Sequence, residues 1–317
     1  MSIPKKFISC DWGTSNFRLR LIDTETLDVL EELQTNQGVK KMYNEYCAQR
    51  KFDRGNFFSR YLIEQLAQVT SLDDDNVIVA SGMITSSMGM QELGYSEMPF
   101  NEGGDNLFSK KLSLSSKLSV LMVSGAKSGD DVMRGEEVQA IGMASFLPIQ
   151  KEGVLILPGT HSKHLSFKDS KYTDLNTFMT GEMFELFCKE SIIGSSVEPG
   201  EMNDEAKAHF IQGVRLGATE GYSKYLFKIR ANDLISKVDK KLSYYYLSGL
   251  LIGDELGYLK DHTGIICMAA SGKINNLYQL ALAEVAQKRQ ELLVFDEEII
   301  EKALLIGQKR ILERYAK

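Results

Sequence analysis

Cysteine is scarce: Cys10, Cys47, Cys188 and Cys267 are widely spaced in 317 residues and form no C-x-x-C pair. Three of them lie in apolar runs and read as buried thiols. The four histidines lack metal-ligand spacing, so no zinc site is expected. There is no basic excess either. A formal net charge of −6 argues against a nucleic-acid or membrane-surface partner, since either would want a basic face. An anionic substrate would have to be held by a local cluster of donors. No stretch approaches the length of a membrane span, and the N-terminal M-S-I-P-K-K has no apolar core for a signal peptide, so a cytoplasmic location is expected. No Pro-, Gly- or Ser-rich linker and no low-complexity segment interrupts the chain. What remains, 43% hydrophobic and 25% charged, is ordinary globular composition at a length sufficient for two domains. Their boundary is expected near Pro148, giving domains 1–148 and 149–317.

The chain is organised around residues 8–23. Phe7, Ile8 and Cys10 form a short apolar run, and Phe17, Leu19 and Leu21 alternate with Arg18 and Arg20. That is the period-2 pattern of strands with one buried face. The turn between them, Asp11-Trp12-Gly13-Thr14-Ser15-Asn16, carries a carboxylate and two hydroxyls. Gly13 lets backbone N–H groups approach an anion, Thr14 and Ser15 add donors, and Asp11 can hold Mg²⁺ through water. Asp11 would repel a bare phosphate, so the set suits a metal-bound nucleotide. An ordinary hairpin with Asx-turn chemistry is the alternative.

Further on, residues 28–33 read as a third strand and 56–69 as an amphipathic helix. Val77-Ile78-Val79-Ala80 is a buried parallel strand that runs into Gly82-Met83-Ile84-Thr85-Ser86, a loop where open α/β sheets bind ligands. Residues 118–123 form another strand. Asp130-Asp131-Val132-Met133-Arg134-Gly135-Glu136-Glu137 then leads into a helix starting near Gly135, with acids where the dipole favours them. Capping alone would explain Glu136 and Glu137, but not Arg134. Residues 153–157 and the turn Pro158-Gly159-Thr160-His161-Ser162-Lys163 repeat the opening logic, with Lys163 suited to phosphate oxygens. Helices follow at about 180–187, with Thr180 as N-cap, and at 206–221 and 244–259. Small residues at 248–253 allow close helix packing or approach to a ligand. A strand at 264–269 enters a helix at 275–287 through Ser271-Gly272; a strand at 292–295 and a helix at 298–314 close the chain.

The string D-W-G-T-S-N-x-R resembles the 2-dehydro-3-deoxygalactonokinases, a branch of the actin-like ATPase and sugar-kinase superfamily. G-M-I-T-S, G-Y-S-E-M-P, D-V-M-R-G-E-E-x-Q and P-G-T-H-S-K extend the resemblance along the chain; the residue usually Trp after the last string is His164, a change expected to affect packing only. The resemblance implies two ribonuclease-H-like (actin-like ATPase) domains with a nucleotide and sugar cleft between them. The first would carry a phosphate loop and the sugar site, the second another phosphate loop and the adenosine site. The implied reaction is ATP-dependent phosphorylation of the terminal hydroxyl of 2-dehydro-3-deoxy-D-galactonate, with Mg²⁺ at Asp11. Phosphates would meet Gly13, Thr14, Ser15, Gly159, Thr160, Ser162 and Lys163, and adenosine Ser271 and Gly272. The sugar acid would meet Arg18, Gly82, Met83, Ile84, Thr85 and Ser86, with Arg134 as partner of its carboxylate. The general base is Glu136, with Asp131 left open. A phosphohydrolase of the same superfamily and a non-enzymatic, actin-like nucleotide-binding protein stay as other readings, and a homodimer is left open.

Overall fold

The computed structural model describes residues 3–49, 51–287 and 289–316. The opening stretch forms β1 (Lys6–Trp12) and β2 (Phe17–Asp23), and β3 (Val29–Thr35) completes an antiparallel meander. Two helices follow, α1 (Val39–Gln49) and α2 (Arg54–Leu66). The side chain of Asp53 caps α2 by accepting from the Asn56 amide. The chain returns as β4 (Asn76–Gly82), parallel to β1, and turns through a 3₁₀ segment, Met83–Thr85. Short strands β5 (Tyr95–Glu97), β6 (Phe100–Asn101) and β7 (Ser109–Ser113) precede β8 (Leu118–Val123), which pairs parallel to β4. Then come β9 (Gly125–Ser128), β10 (Asp131–Met133) and α3 (Glu136–Met143).

The second half runs β11 (Gly153–Leu157), β12 (Ser162–Lys168), β13 (Lys171–Phe178), α4 (Thr180–Lys189), α5 (Asp204–Glu220), α6 (Ser223–Ser236), α7 (Lys240–Leu256), β14 (Ile265–Ala269), α8 (Gly272–Val285), β15 (Leu292–Phe295) and α9 (Glu297–Ala316). One sheet has the order β3-β2-β1-β4-β8-β7 and the other β15-β14-β11-β12-β13-β6; β10-β9-β5 form a small third sheet. The two large sheets therefore repeat one ribonuclease-H-like order, third-second-first-fourth-fifth strand. In both, the first, fourth and fifth strands pair in parallel. The α/β fold with a duplicated half, expected from the resemblance, is present.

Two compact units emerge. The first takes in the chain up to Lys151, Ser166–Leu175 and everything from Glu298 on; the second is Glu152–Leu165 and Asn176–Glu297. The last helix, read from the sequence with the C-terminal half, thus belongs to the N-terminal unit. The reason is backbone contact: a Cβ on Gly142 of α3 would lie 1.7 Å from the Ala303 carbonyl oxygen of α9, and one on Gly307 would lie 1.9 Å from that of Val138. The first unit's core gathers Trp12, Phe17, Phe58 and Leu62. In the second, α5 and α7 cross at Gly213, Gly217, Gly249 and Gly253, where any Cβ would fall within 2.1–2.3 Å of a carbonyl oxygen on the opposing helix. Those small residues therefore serve helix packing.

Candidate active site

In the first unit, the Gly-Thr turn is held from behind. The amides of Gly38, Val39 and Lys40, at the start of α1, donate to the carbonyls of Ser15, Gly13 and Thr14 at 3.1, 2.9 and 3.2 Å, and the Trp12 indole donates to Gln37 O at 2.9 Å. The turn's carbonyl oxygens are so occupied, while the exposed Thr14 and Ser15 have no partner for their amides among the described residues. That leaves N–H groups for an anion.

Asp11 lies opposite Arg18 in the β1–β2 ladder, and Arg18 Nη2 reaches its Oδ2 at 3.4 Å. Arg18 also donates to Glu301 of α9 at 3.0 Å, and Arg20 forms ion pairs with both Glu301 and Glu32. The alternation suggested that Arg20 would face solvent; it is buried, because this chain of charges from α9 covers that face of β2. Burial raises the Asp11 pKa, against the pull of Arg18 and Arg20. Yet 38% of the side chain still meets solvent. Among the described residues no three His, Cys, Asp or Glu side chains cluster as a metal site. A single reachable carboxylate nevertheless fits Mg²⁺ that arrives on nucleotide phosphates, which needs only one or two protein carboxylates.

The loop after β4 is bent by Gly82, whose φ of +88° favours glycine and whose Cβ would stand 2.8 Å from Trp12 O. Ile84, Thr85 and Ser86, read as substrate contacts, are buried. Thr85 Oγ1 donates to Val123 O at 3.1 Å and Ser86 Oγ to Met83 O at 2.7 Å, so their hydroxyls brace the 3₁₀ turn. Met83 is half-buried.

Arg134 is engaged as well. Its Nη1 donates to Thr85 Oγ1 at 2.6 Å, its Nη2 to Leu93 O at 2.9 Å, and its guanidinium lies 4.3 Å from the Tyr95 ring centroid. Gly135, at φ +114°, brings this segment within 3.2 Å of Gly82 Cα, counted from its ideal Cβ position. Helix α3 starts at Glu136, as expected, and both glutamates cap it: Glu136 Oε2 accepts from the Arg134 amide at 3.1 Å, Glu137 Oε2 from the Gly135 amide at 2.7 Å. Asp131 lies in β10, half-buried, accepting from the Val132 amide at 2.6 Å. Glu137 is 1% exposed, and burial together with the neighbouring Glu136 charge pushes its pKa up to about 8.

In the second unit the turn ends sooner than the sequence suggested. Ser162 and Lys163 already belong to β12 and are buried, because the strand is covered on both faces. Lys163 Nζ donates to Thr177 Oγ1 at 3.0 Å. Gly159, Thr160 and His161 form the tip, and the tip rests on α4. The Glu182 amide donates to Thr160 O at 3.0 Å, the Glu182 carboxylate pairs with His161, and a Cβ on Gly181 would meet Gly159 O at 2.5 Å. Thr180 is the first residue of α4 and not its cap; Met179 precedes it without a side-chain bond. His164 does more than pack: its two nitrogens bond Glu255 and Tyr258 at 2.9 and 2.7 Å.

Beside this tip lies a cavity of about 290 Å³, lined by Gly159 and Gly181 at one side and by Phe184, Tyr244, Leu251 and Ile274 among its walls. Ser271 and Gly272 open α8 and immediately precede Lys273 and Ile274, which do line it.

Comparison with known proteins decides what this arrangement belongs to. The family model described as 2-keto-3-deoxy-galactonokinase matches residues 11–306. The chain belongs to this family. The 2-dehydro-3-deoxygalactonokinase of Escherichia coli (strain K12) is 29% identical over 288 residues, 87% of this chain and 89% of its own length. A probable 2-dehydro-3-deoxygalactonokinase of Rhizobium meliloti (strain 1021) is 28% identical over 290 residues, 89% of this chain and 90% of its own. The crystal structure of a putative 2-dehydro-3-deoxygalactonokinase from Sinorhizobium meliloti superposes with a TM-score of 0.83 at 26% identity, covering 98% of this chain and 99% of that one. Sequence reasoning gave Glu137 no role beyond capping and did not reach Glu301, which holds Arg18 and Arg20 in the first unit, or Glu255, which holds His164 and Tyr278 in the second. Only Glu137 had a local signal: it stands in the first turn of a helix that is also buried at Val138, Ala140, Ile141 and Met143. Among the described residues no helix is long and apolar enough to cross a membrane.

Proposed function

We propose that this chain transfers the γ-phosphoryl group of ATP to the terminal hydroxyl of 2-dehydro-3-deoxygalactonate, a step of galactonate catabolism, using the two Gly-Thr turns as phosphate loops. The observation that carries the reading is their equivalence. Each lies after the first strand of a sheet of the same order, and each rests on the start of a helix, which takes up three carbonyls of the first turn and the Thr160 carbonyl of the second. Phosphoryl transfer asks the protein mainly for positioning and charge stabilisation.

In this reading Gly13, Thr14 and Ser15 are the phosphate contacts of the first unit, and Gly159 and Thr160 those of the second. Lys163 and Ser162, buried behind the second tip, hold its shape. Asp11 would hold Mg²⁺, which neutralises charge on the transferring phosphoryl group. The apolar cavity beside Gly159 takes the adenosine, with Ser271 and Gly272 at the helix start that forms its edge. The sugar acid lies along Gly82 and Met83, and Arg134 turns its remaining N–H groups to the substrate carboxylate. Arg18 orients Asp11. Glu136, in the first turn of α3, accepts the proton of the sugar hydroxyl, while Asp131 hydrogen-bonds a neighbouring substrate hydroxyl. The reaction is cytoplasmic in this reading, and a homodimer is left to sedimentation measurements.

The test is ADP release, coupled to a reporter enzyme, over a panel of 2-keto-3-deoxy sugar acids. The expected result is turnover that depends on the sugar acid, abolished by Glu136→Gln, with Asp131→Asn chiefly raising KM. The reverse pattern would make Asp131 the base. ADP release indifferent to every sugar acid would defeat the kinase reading.

A further inference from the structure

A buried line of hydrogen bonds runs behind the second phosphate loop. Glu255, on α7, is 1% exposed and has donors at both oxygens: His164 Nε2 lies 2.9 Å from Oε1, and the Tyr278 hydroxyl 2.7 Å from Oε2. Tyr278 in turn lies 3.1 Å from Ser162 Oγ, and Ser162 Oγ accepts from the Gly159 amide at 3.4 Å. Ser162 and His164 are neighbours on the same strand, so α7 and α8 grip β12 where it leaves the turn.

The direction of each hydrogen follows from the chemistry of the groups. A carboxylate only accepts, so the single Tyr278 hydrogen points to Glu255. The phenol oxygen is then an acceptor toward Ser162, which must donate its one hydrogen inward. Thr180, at the start of α4, also bonds the Tyr278 hydroxyl. With its hydrogen committed to Tyr278, Ser162 can only accept from Gly159, and it offers no hydrogen to a nucleotide phosphate.

We infer that Ser162 and the Tyr278 hydroxyl, polarised by Glu255, position the second phosphate loop: they fix the Gly159 amide and hence the tip, and Ser162 makes no hydrogen bond of its own to the nucleotide, while the Tyr278 ring also lines the cavity beside Gly159. The inference rests on the proposed function only in taking that tip as a phosphate contact. A polarised chain of this kind acts as one unit, so removing either end should forfeit the same thing.

The experiment compares Ser162→Ala, Tyr278→Phe and the double variant. Calorimetry gives the Kd for ATP in the presence of magnesium chloride, and steady-state kinetics gives KM for the sugar acid. Each change deletes one oxygen, and thermal unfolding followed by circular dichroism verifies the fold. The expected result is a weakening of ATP binding of about 10-fold in each single variant, no further loss beyond about 2-fold in the double variant, and a sugar-acid KM within about 2-fold of the parent. Ser162→Ala weakening ATP while Tyr278→Phe binds like the parent would overturn the inference, because Ser162 would then touch phosphate directly. Multiplying effects in the double variant would overturn it too. A parent protein that binds ATP yet phosphorylates no sugar acid would defeat the proposed function and leave this comparison standing, since its readout is nucleotide binding.

Discussion

Glu137 makes the stability of the first unit depend on pH in a calculable way. It is 1% exposed, its Oε2 accepts from the Gly135 amide, and its Oε1 has no hydrogen-bond partner. Its pKa of about 8 in the fold stands against an ordinary 4.5, because burial disfavours the charged form and the Glu136 charge adds to it. Between those values the folded protein holds a proton that the unfolded chain has released. Stability from this group is therefore fully present below pH 4.5 and falls as pH rises toward 8, by up to about 1.4 kcal/mol per pH unit. The loss reaches about 3 kcal/mol by pH 7 and about 5 kcal/mol by pH 9. Glu137→Gln removes the titration while its oxygen can still accept from Gly135. Its amide would face the unpartnered position of Oε1, at a cost of about 1–3 kcal/mol. The two proteins should therefore cross: the parent more stable at pH 5, the variant more stable at pH 9 by about 2–4 kcal/mol. The assay is urea unfolding at five pH values, followed by the fluorescence of Trp12, the single tryptophan, fully buried in the core of the same unit. Parallel stability curves would refute the reasoning, since they would mean that Glu137 is already ionised in the fold.

Three further outcomes are expected. Asp11→Asn should lower kcat by at least about 100-fold with the fold intact; unchanged turnover and magnesium dependence would end its assignment as metal ligand. Arg134→Ala should raise KM for the sugar acid and, because Thr85, Leu93 and Tyr95 lose their brace, lower Tm by several degrees. A fall in Tm with KM untouched would leave Arg134 a brace alone. Gly217→Val would force a side chain against Leu250 O, 2.1 Å from the ideal Cβ, and should destabilise the second unit by about 3 kcal/mol in denaturant unfolding. A loss under about 1 kcal/mol would show that α5 and α7 can separate freely.

Local pattern alone determined the frame of this protein. Period-2 alternation and short apolar runs marked β1, β2, β4, β8, β11, β14 and β15, because a strand buried on one or both faces must be written that way. The Gly-Thr turns and the start of α3 at Glu136 were legible for the same reason: glycine, hydroxyls and acids at an element's end act on backbone only a few residues away. Elements without a clean stripe were missed. Helix α1 buries only Val39 and Met42, and α6 exposes Phe227 and Ile235 to solvent. The strands β5, β9 and β10 are too short, at three or four residues, for any period to register.

Only the tertiary structure decided which way the site's polar groups face. Arg18 meets Glu301 across 283 residues, and His164 meets Glu255 across 91. Thr85 and Ser162 turn their hydroxyls inward to partners 38 and 116 residues away. Helix α9 joins the first unit because Gly142 and Gly307 let two backbones touch. The period of a strand tells which residues share a face. Whether a second layer lies on that face depends on packing between segments far apart in the chain, and that packing is what buried Ser162 and Lys163 behind the second Gly-Thr turn.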